Sequence, residues 1–418
     1  MIYKTKMKNN NQHKTGFKHT ALGWIPDGWS VIKLDKVIKL INGRPFKPED
    51  WKEVGLPIIR IQNLNNSTAP YNYYDQPVQE KYYVETGDIL FAWSGTKGVS
   101  FGARVWTNGK AILNQHIFKV IPIETFLTKN YSYLVLNKVQ NAIESNAHGF
   151  KSSFVHVKKF DLDKTLLPLP PIPEQLKITN ILNTWDDAIA RTQELITQLK
   201  QRNKGLITLL LNGKKRLKGF KSAKAAYSSI HSFAKEVSDK NASDKELVVL
   251  SCTKYDGLVP SLEYFGRKIY SDDLTTYKIV SKNCFAYATN HIEEGSIGYQ
   301  AKYEAALISP MYTVFKTNDS VDDEYLYKVL KSHHYIHEYQ KRMEGSIDRR
   351  GGLRWDEFSK IKVLLPSVEE QRAIAGILNK ADEEVKLQQQ QLAAFQLQKK
   401  GLMQKLLTGE IRLKTDHN

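Results

Sequence analysis

The chain predicts an α+β fold in which two mixed globules alternate with two long helices that form an antiparallel coiled coil. Three observations predict it. The segment Leu169–Lys218 recurs as Leu365–Lys414, matching at 19 of 50 positions with a constant offset of 196 and no gap. Each copy carries a heptad pattern sustained over more than four heptads. The residues around and between the copies are short β-rich runs separated by turn residues, the pattern of compact mixed globules.

In chain order, residues 1–21 read as a disordered basic tail without the apolar stretch of a signal peptide. A first globule spans 22–173, with strand-like runs LPIIRIQNL, GDILFAWS and AILNQHIFKVIPI and one helix from about Lys129 to Ala147. The run PLPPIP at 168–173 is expected to stop both strand and helix. A first spacer helix follows over 174–218, ended by Gly213, and a basic linker over 219–245. The second globule spans 246–369. GDILFAW at 87–93 and NCFAYAT at 283–289 read as counterparts, as do AILNQHIFKV at 111–120 and ALISPMYTVF at 306–315. A helix is expected near Glu324 to Arg342. A second spacer helix occupies 370–410, ended by Gly409, with a tail over 411–418.

The helix seam steps by four and three through Ile178, Leu182, Trp185, Ile189, Thr192, Ile196, Leu199, Asn203, Leu206 and Leu210. Shifted by 196 it becomes Ile374, Leu378, Ala381, Val385, Gln388, Leu392, Phe395, Lys399, Leu402 and Leu406. A narrow a/d stripe of this kind favours pairing of the two helices over packing of each on its own globule. The polar pairs Thr192/Gln388 and Asn203/Lys399 are the positions expected to fix register.

Net charge is +17 and pI about 9.4, which favours a polyanionic partner, nucleic acid before an anionic membrane. No run is long enough to span a bilayer. The two cysteines, Cys252 and Cys284, lie in apolar strand-like runs without metal-ligand spacing, so buried thiols in a reducing cytoplasm are expected. The sequence has no phosphate loop, no HExxH and no deaminase signature. One loose pattern, Asp27 with Asp50 and Lys52, resembles the carboxylates and lysine of a self-contained Mg-dependent nuclease. The competing explanation is a Pro-Asp-Gly turn and a surface loop. A coiled-coil adaptor without sequence-specific DNA binding is the structural alternative.

Side-chain types that read base edges and phosphates cluster near strand ends. In the first globule these are Arg60, Gln62, Asn63, Ser94, Lys97, Gln115, His116, Lys151 and Ser152. In the second they are Lys254, Tyr255, Asn290, His291, Arg349, Arg350 and Arg354. The three arginines flank Gly351-Gly352, as in a loop that enters a groove. Neither His116 nor His291 has a second ligand at helical or hairpin spacing, and no metal site is expected.

With these features in place, the chain resembles the specificity subunits of type I restriction-modification enzymes. The resemblance rests on LGWIPDGW at 22–29, GLPIIRIQNL at 55–64, GDILFAWSGT at 87–96, PLPPIPEQLKITNIL at 168–182, LPSVEEQRAIAGIL at 365–378 and the tails GLITLLLNGKKRLK and GLMQKLLTGEIRLK. It implies that each globule reads one half of a bipartite double-stranded DNA site. It implies that the paired helices set the gap and dock two methyltransferase subunits, with two restriction-motor subunits completing the complex. S-adenosylmethionine, ATP and Mg²⁺ are then expected on those partners and no cofactor here. The second globule departs from the pattern: it lacks a clear LGWIPxxW opening, and Pro171 and Pro173 become Ser367 and Glu369.

Overall fold

The computed structural model describes residues 15–66, 68–146, 154–221, 224–344 and 352–413. Two compact units emerge, one of residues 1–191 with 392–418 and one of residues 192–391. The division falls inside both long helices, Ile172–Leu211 and Val368–Thr408.

In the first unit an antiparallel sheet runs in the order Gly102–Val105, Ile89–Ala92, Ile117–Pro122, Ile38–Asn42. A second sheet runs Asn72–Tyr74, Leu56–Ile59, Ala111–Leu113, Tyr83–Val84, with its middle pair parallel. Ile89–Ala92 is buried throughout, because side chains alternate across a strand and both faces are covered. Ile89 and Phe91 point into the main core, while Leu90 joins Ile59 and Leu113 in a second cluster. The helix Lys129–Asn146 covers the main core with Leu136 and Val139.

The second unit repeats this topology. Its sheets run Ile297–Gln300, Cys284–Ala288, Tyr312–Thr317, Ala234–Val237 and Gly257–Pro260, Val249–Thr253, Ala305–Ile308, Lys278–Ser281. The strand Cys284–Ala288 splits its side chains between two clusters as its counterpart does, Phe285 and Tyr287 one way, Cys284 and Ala286 the other. The counterparts expected from sequence therefore occupy equivalent strands. Both cysteines are free thiols; Cys284 is buried, and burial pushes the half-buried Cys252 thiol up to about 12.

Four expectations are corrected. Phe17–Thr20, assigned to the disordered tail, is a strand paired with Gly23–Pro26. The linker 219–245 contains the strands Ala226–Ser229 and Ala234–Val237. Proline did not exclude regular structure at 168–173: Pro168 sits in the strand Leu166–Leu169, whose only strand partner among the described residues is Ser30–Lys33, and Pro173 lies in the first turn of the long helix, where its missing N–H costs nothing. The helix near Glu324 to Arg342 is two helices, Asp323–Leu330 and His333–Glu344. The second unit opens like the first even without LGWIP: Ala226–Ser229 pairs with Lys362–Leu365 as Ser30–Lys33 pairs with Leu166–Leu169, each element displaced by 196.

The long helices pair antiparallel. In the first unit Ile178 and Leu182, near the start of one helix, share a core with Leu406 and Leu407, at the end of the other. In the second unit Ile374 and Leu378 share a core with Leu210 and Leu211. Every predicted seam residue is buried or half-buried: Ile189, Ile196, Leu199, Leu206, Val385, Leu392 and Leu402 line the stripe, and Trp185 meets Phe395 edge to face at 5.7 Å. The polar seam positions have specific partners. Asn203 Nδ2 donates to the Ala381 carbonyl at 2.7 Å, and Lys399 pairs with Asp186. A slip of one turn would strand the buried Asn203 amide, which is how a polar seam residue fixes register.

Candidate nucleic-acid interface

Each helix start carries Glu-Gln, and each tail after the terminal glycine carries Arg-Leu-Lys. Gly213 and Gly409 adopt φ of 68° and 72°, a left-handed conformation that reverses the chain at the helix end. The reversal lets Arg412 form a bidentate pair with Glu174, Nε to Oε1 at 2.8 Å and Nη2 to Oε2 at 3.0 Å. Arg216 grips Glu370 in the same way, Nε to Oε1 at 2.8 Å. Both carboxylates are buried, so each needs its arginine. The pairing is reciprocal, the glutamate of each repeat taking the arginine of the other. The adjacent glutamines tie each helix to its globule. Gln175 donates to the Phe126 and Pro170 carbonyls and accepts from Thr128 N–H. Gln371 donates to Ser320 and Pro366 and accepts from Asp322 N–H. This junction was visible in sequence as identities between the copies, but its cross-pairing was not.

The proposed DNA-contact residues fall into four groups. Lys151, Ser152, Arg349 and Arg350 lie outside the described residues. Asn63 and Ser94 are buried. Asn63 is scaffold: its amide donates to the Ala69 carbonyl and accepts from Arg60 N–H, which spends its polar capacity inside the loop. Arg60, Lys97 and Gln115 are half-buried, and Arg60 donates to Asn72 Oδ1 at 2.9 Å while lying 5.3 Å from the Trp51 ring centre. Gln62, His116, Lys254, Tyr255, Asn290, His291 and Arg354 are exposed.

Some of these are brought together. Trp93 N–H donates to the His116 carbonyl, which places His116 beside Ser94 at one sheet end. In the second unit Lys331 Nζ donates to the carbonyls of Lys254 and Gly295, each at 2.7 Å, and so ties the Lys254–Tyr255 turn to the loop after His291. Burial lowers the Lys331 pKa. His291, Glu293 and Glu294 lie within 4.8 Å of one another on that loop, which puts negative charge beside Asn290. Sequence reasoning passed over Trp93, His156 and Lys331, because an aromatic residue in a strand and a lysine in a helix look like core and surface until the fold is known. The residues of the loose nuclease pattern have other partners. Asp50 accepts from Lys47 N–H and lies 3.9 Å from Arg44, Asp27 closes a turn with Gly16, and Lys52 bridges Tyr73 through its backbone.

Two copies of one α+β frame, each closed by the tail of the other repeat and each presenting its own loops, define a class of duplicated recognition scaffold built on paired helices. Residues 26–201 match the type I restriction modification DNA specificity domain. The chain is 24% identical to the putative type I restriction enzyme MjaX specificity subunit of Methanocaldococcus jannaschii, over 96% of this chain and 97% of that protein. It is 30% identical to the type I restriction enzyme EcoBI specificity subunit of Escherichia coli, over 46% of this chain and 40% of that protein. The fold is similar to that of the type I restriction-modification S subunit from M. genitalium, TM-score 0.52 at 16% identity, covering 90% of this chain and 96% of that one. The HsdS subunit from Thermoanaerobacter tengcongensis gives TM-score 0.52 at 14% identity, with 93% and 98% covered. The chain is thus similar to type I specificity subunits along nearly its whole length, and its residues 26–201 match the DNA specificity domain of that family.

Proposed function

We propose that this chain is the sequence-specific DNA-binding subunit of a type I restriction-modification complex, each unit reading one half of a bipartite site. The observation that carries the reading is the repeated frame with dissimilar loops: two similar binders linked in one chain suit a target that itself has two parts. The paired helices set the gap between half-sites and dock two methyltransferase subunits; two restriction subunits complete the assembly. The chain itself is non-catalytic. S-adenosylmethionine, ATP and Mg²⁺ act on the partners, and the complex works in the cytoplasm. Among the described residues no helix is long and apolar enough to cross a membrane, in keeping with that location.

With a net charge of +17, much of the affinity is expected from phosphate contacts. The test is binding of the chain, assembled with its methyltransferase subunits, to duplex DNA across a salt series. Affinity for a selected duplex should fall about 10³-fold or more between 50 and 200 mM salt. Preference for that duplex over scrambled competitors should persist at each salt concentration. Salt-sensitive binding with no sequence preference would instead favour a basic adaptor. Lengthening both helices by four residues adds about 6 Å, expected to widen the gap by about two base pairs.

A further inference from the structure

Away from the helix junction, the offset of 196 reappears where each globule rejoins its last strand. Val157 N–H donates to the Trp93 carbonyl at 2.9 Å, and Leu353 N–H donates to the Thr289 carbonyl at 2.9 Å. One residue on, Lys158 and Arg354 precede equivalent short helices, Lys159–Asp163 and Trp355–Phe358. The backbone place is shared; the chemistry displayed there is not.

In the first unit the Trp93 ring stacks on Phe118 at 5.8 Å and is flanked by His116 at 4.8 Å and His156 at 4.9 Å, with Nε1 donating to Asn42 Oδ1. Both imidazoles are exposed, and His116 holds φ of 73°, a left-handed conformation uncommon in residues with a Cβ. In the second unit Thr289 stands where Trp93 does and Gly352 where His156 does. A Cβ on Gly352 would lie 2.4 Å from the Thr289 carbonyl oxygen, so no side chain fits there. Beside Thr289 the second unit has an open recess of about 480 Å³, lined by Glu236, Lys278, Thr289, Met311 and Arg354 among others.

We propose that this junction is the base-reading position of each unit: the Trp93–His116–His156 surface for one half-site, the recess beside Arg354 for the other. The proposal rests on the DNA-specificity reading above. The recess mixes carboxylates, Glu236 and Asp356, with cations, Arg354 and Lys278. A phosphate would be repelled by the acids, whereas the edge of a base pair offers both donors and acceptors. Lys278 Nζ already donates to the Tyr312 carbonyl, which leaves the exposed Arg354 guanidinium as the group shaped for a two-bond contact to a base edge. A retained backbone with exchanged side chains is what two readers of different sequences require.

The test is selection of binding sites from a duplex pool randomised across both half-sites, using the full-length chain assembled with its methyltransferase subunits. Arg354→Met is expected to relax preference about ten-fold or more at positions within one half-site. His156→Ala should relax positions in the other, each variant leaving the remaining half intact. Arg354→Lys, which keeps the charge and loses the fork, should also relax preference. If Arg354→Met weakens all sequences equally, the residue holds phosphate and the proposal is overturned. If the unaltered chain selects a split site and every variant selects the same one, the proposal falls while the DNA-specificity reading stands. If the unaltered chain selects no split site, the reading itself falls.

Discussion

The two units agree where each closes on the other repeat's tail and disagree where they face outward. Glu174 with Arg412 and Glu370 with Arg216 are the same contact made twice, as are the glutamine ties beside them. The outward loops SGTKGVSFG, from Ser94, and NHIEEGSIG, from Asn290, begin at equivalent positions with unlike charge. The difference separates two demands on the chain. The helix junction must match itself, because each repeat supplies half of both copies. The loops need only stay attached to the frame, so they are free to differ.

The largest expected effects fall on the matched contacts, with one built-in inequality. Arg216→Ala would leave the buried Glu370 carboxylate without its partner and is expected to destabilise the second unit by about 3–5 kcal/mol. Arg412→Ala should cost less, because Glu174 still accepts from Trp29 Nε1 at 2.9 Å; the residue equivalent to Trp29 in the second unit is Ala225. Denaturant unfolding of the two variants measures this, and equal losses would remove Trp29 from the account. Leu182→Ala and Leu378→Ala are next. Both side chains are buried at seam positions displaced by 196, and each is expected to cost about 2–4 kcal/mol, the two agreeing closely.

The matched half of the molecule was legible in sequence and the divergent half was not, for a physical reason. A heptad seam is a periodic signal: each of Ile178, Leu182, Ile374 and Leu378 is apolar because the helix turns it inward, so spacing alone locates it. The strands Ile89–Ala92 and Cys284–Ala288 showed as apolar runs because both faces are covered. Loop contacts have no period. Asn63 has the chemistry of a base reader and is buried in its own turn, while Trp93 resembles core and lies beside two exposed imidazoles. The strand Ala226–Ser229 was hidden inside a basic segment because a short two-stranded edge needs few apolar residues.

The last expected effect sharpens the asymmetry through pH. Lys138 Nζ donates to the Leu407 carbonyl at the end of the second long helix, and burial lowers its pKa from 10.5 to about 8. Below pH 8 the amine is charged folded and unfolded, and the full cost of burying that charge is present. Between pH 8 and 10.5 the folded state gives up its proton first, so stability rises with pH, by at most about 1.4 kcal/mol per unit. Lys138→Met should abolish that rise in the first unit; an unchanged slope would assign it to another group.

Two unlike surfaces on one repeated frame, reading two unlike half-sites, would leave both halves visible in the methylation that this chain directs. The most direct test is a genome-wide map of methylated bases in cells that carry this chain with its methyltransferase partner, compared with cells from which only this chain is deleted. A split motif, two short defined blocks around a fixed unspecified gap, is expected in the first and gone in the second. A methylation pattern that is identical in both, or that depends on this chain but shows one continuous block, would contradict it.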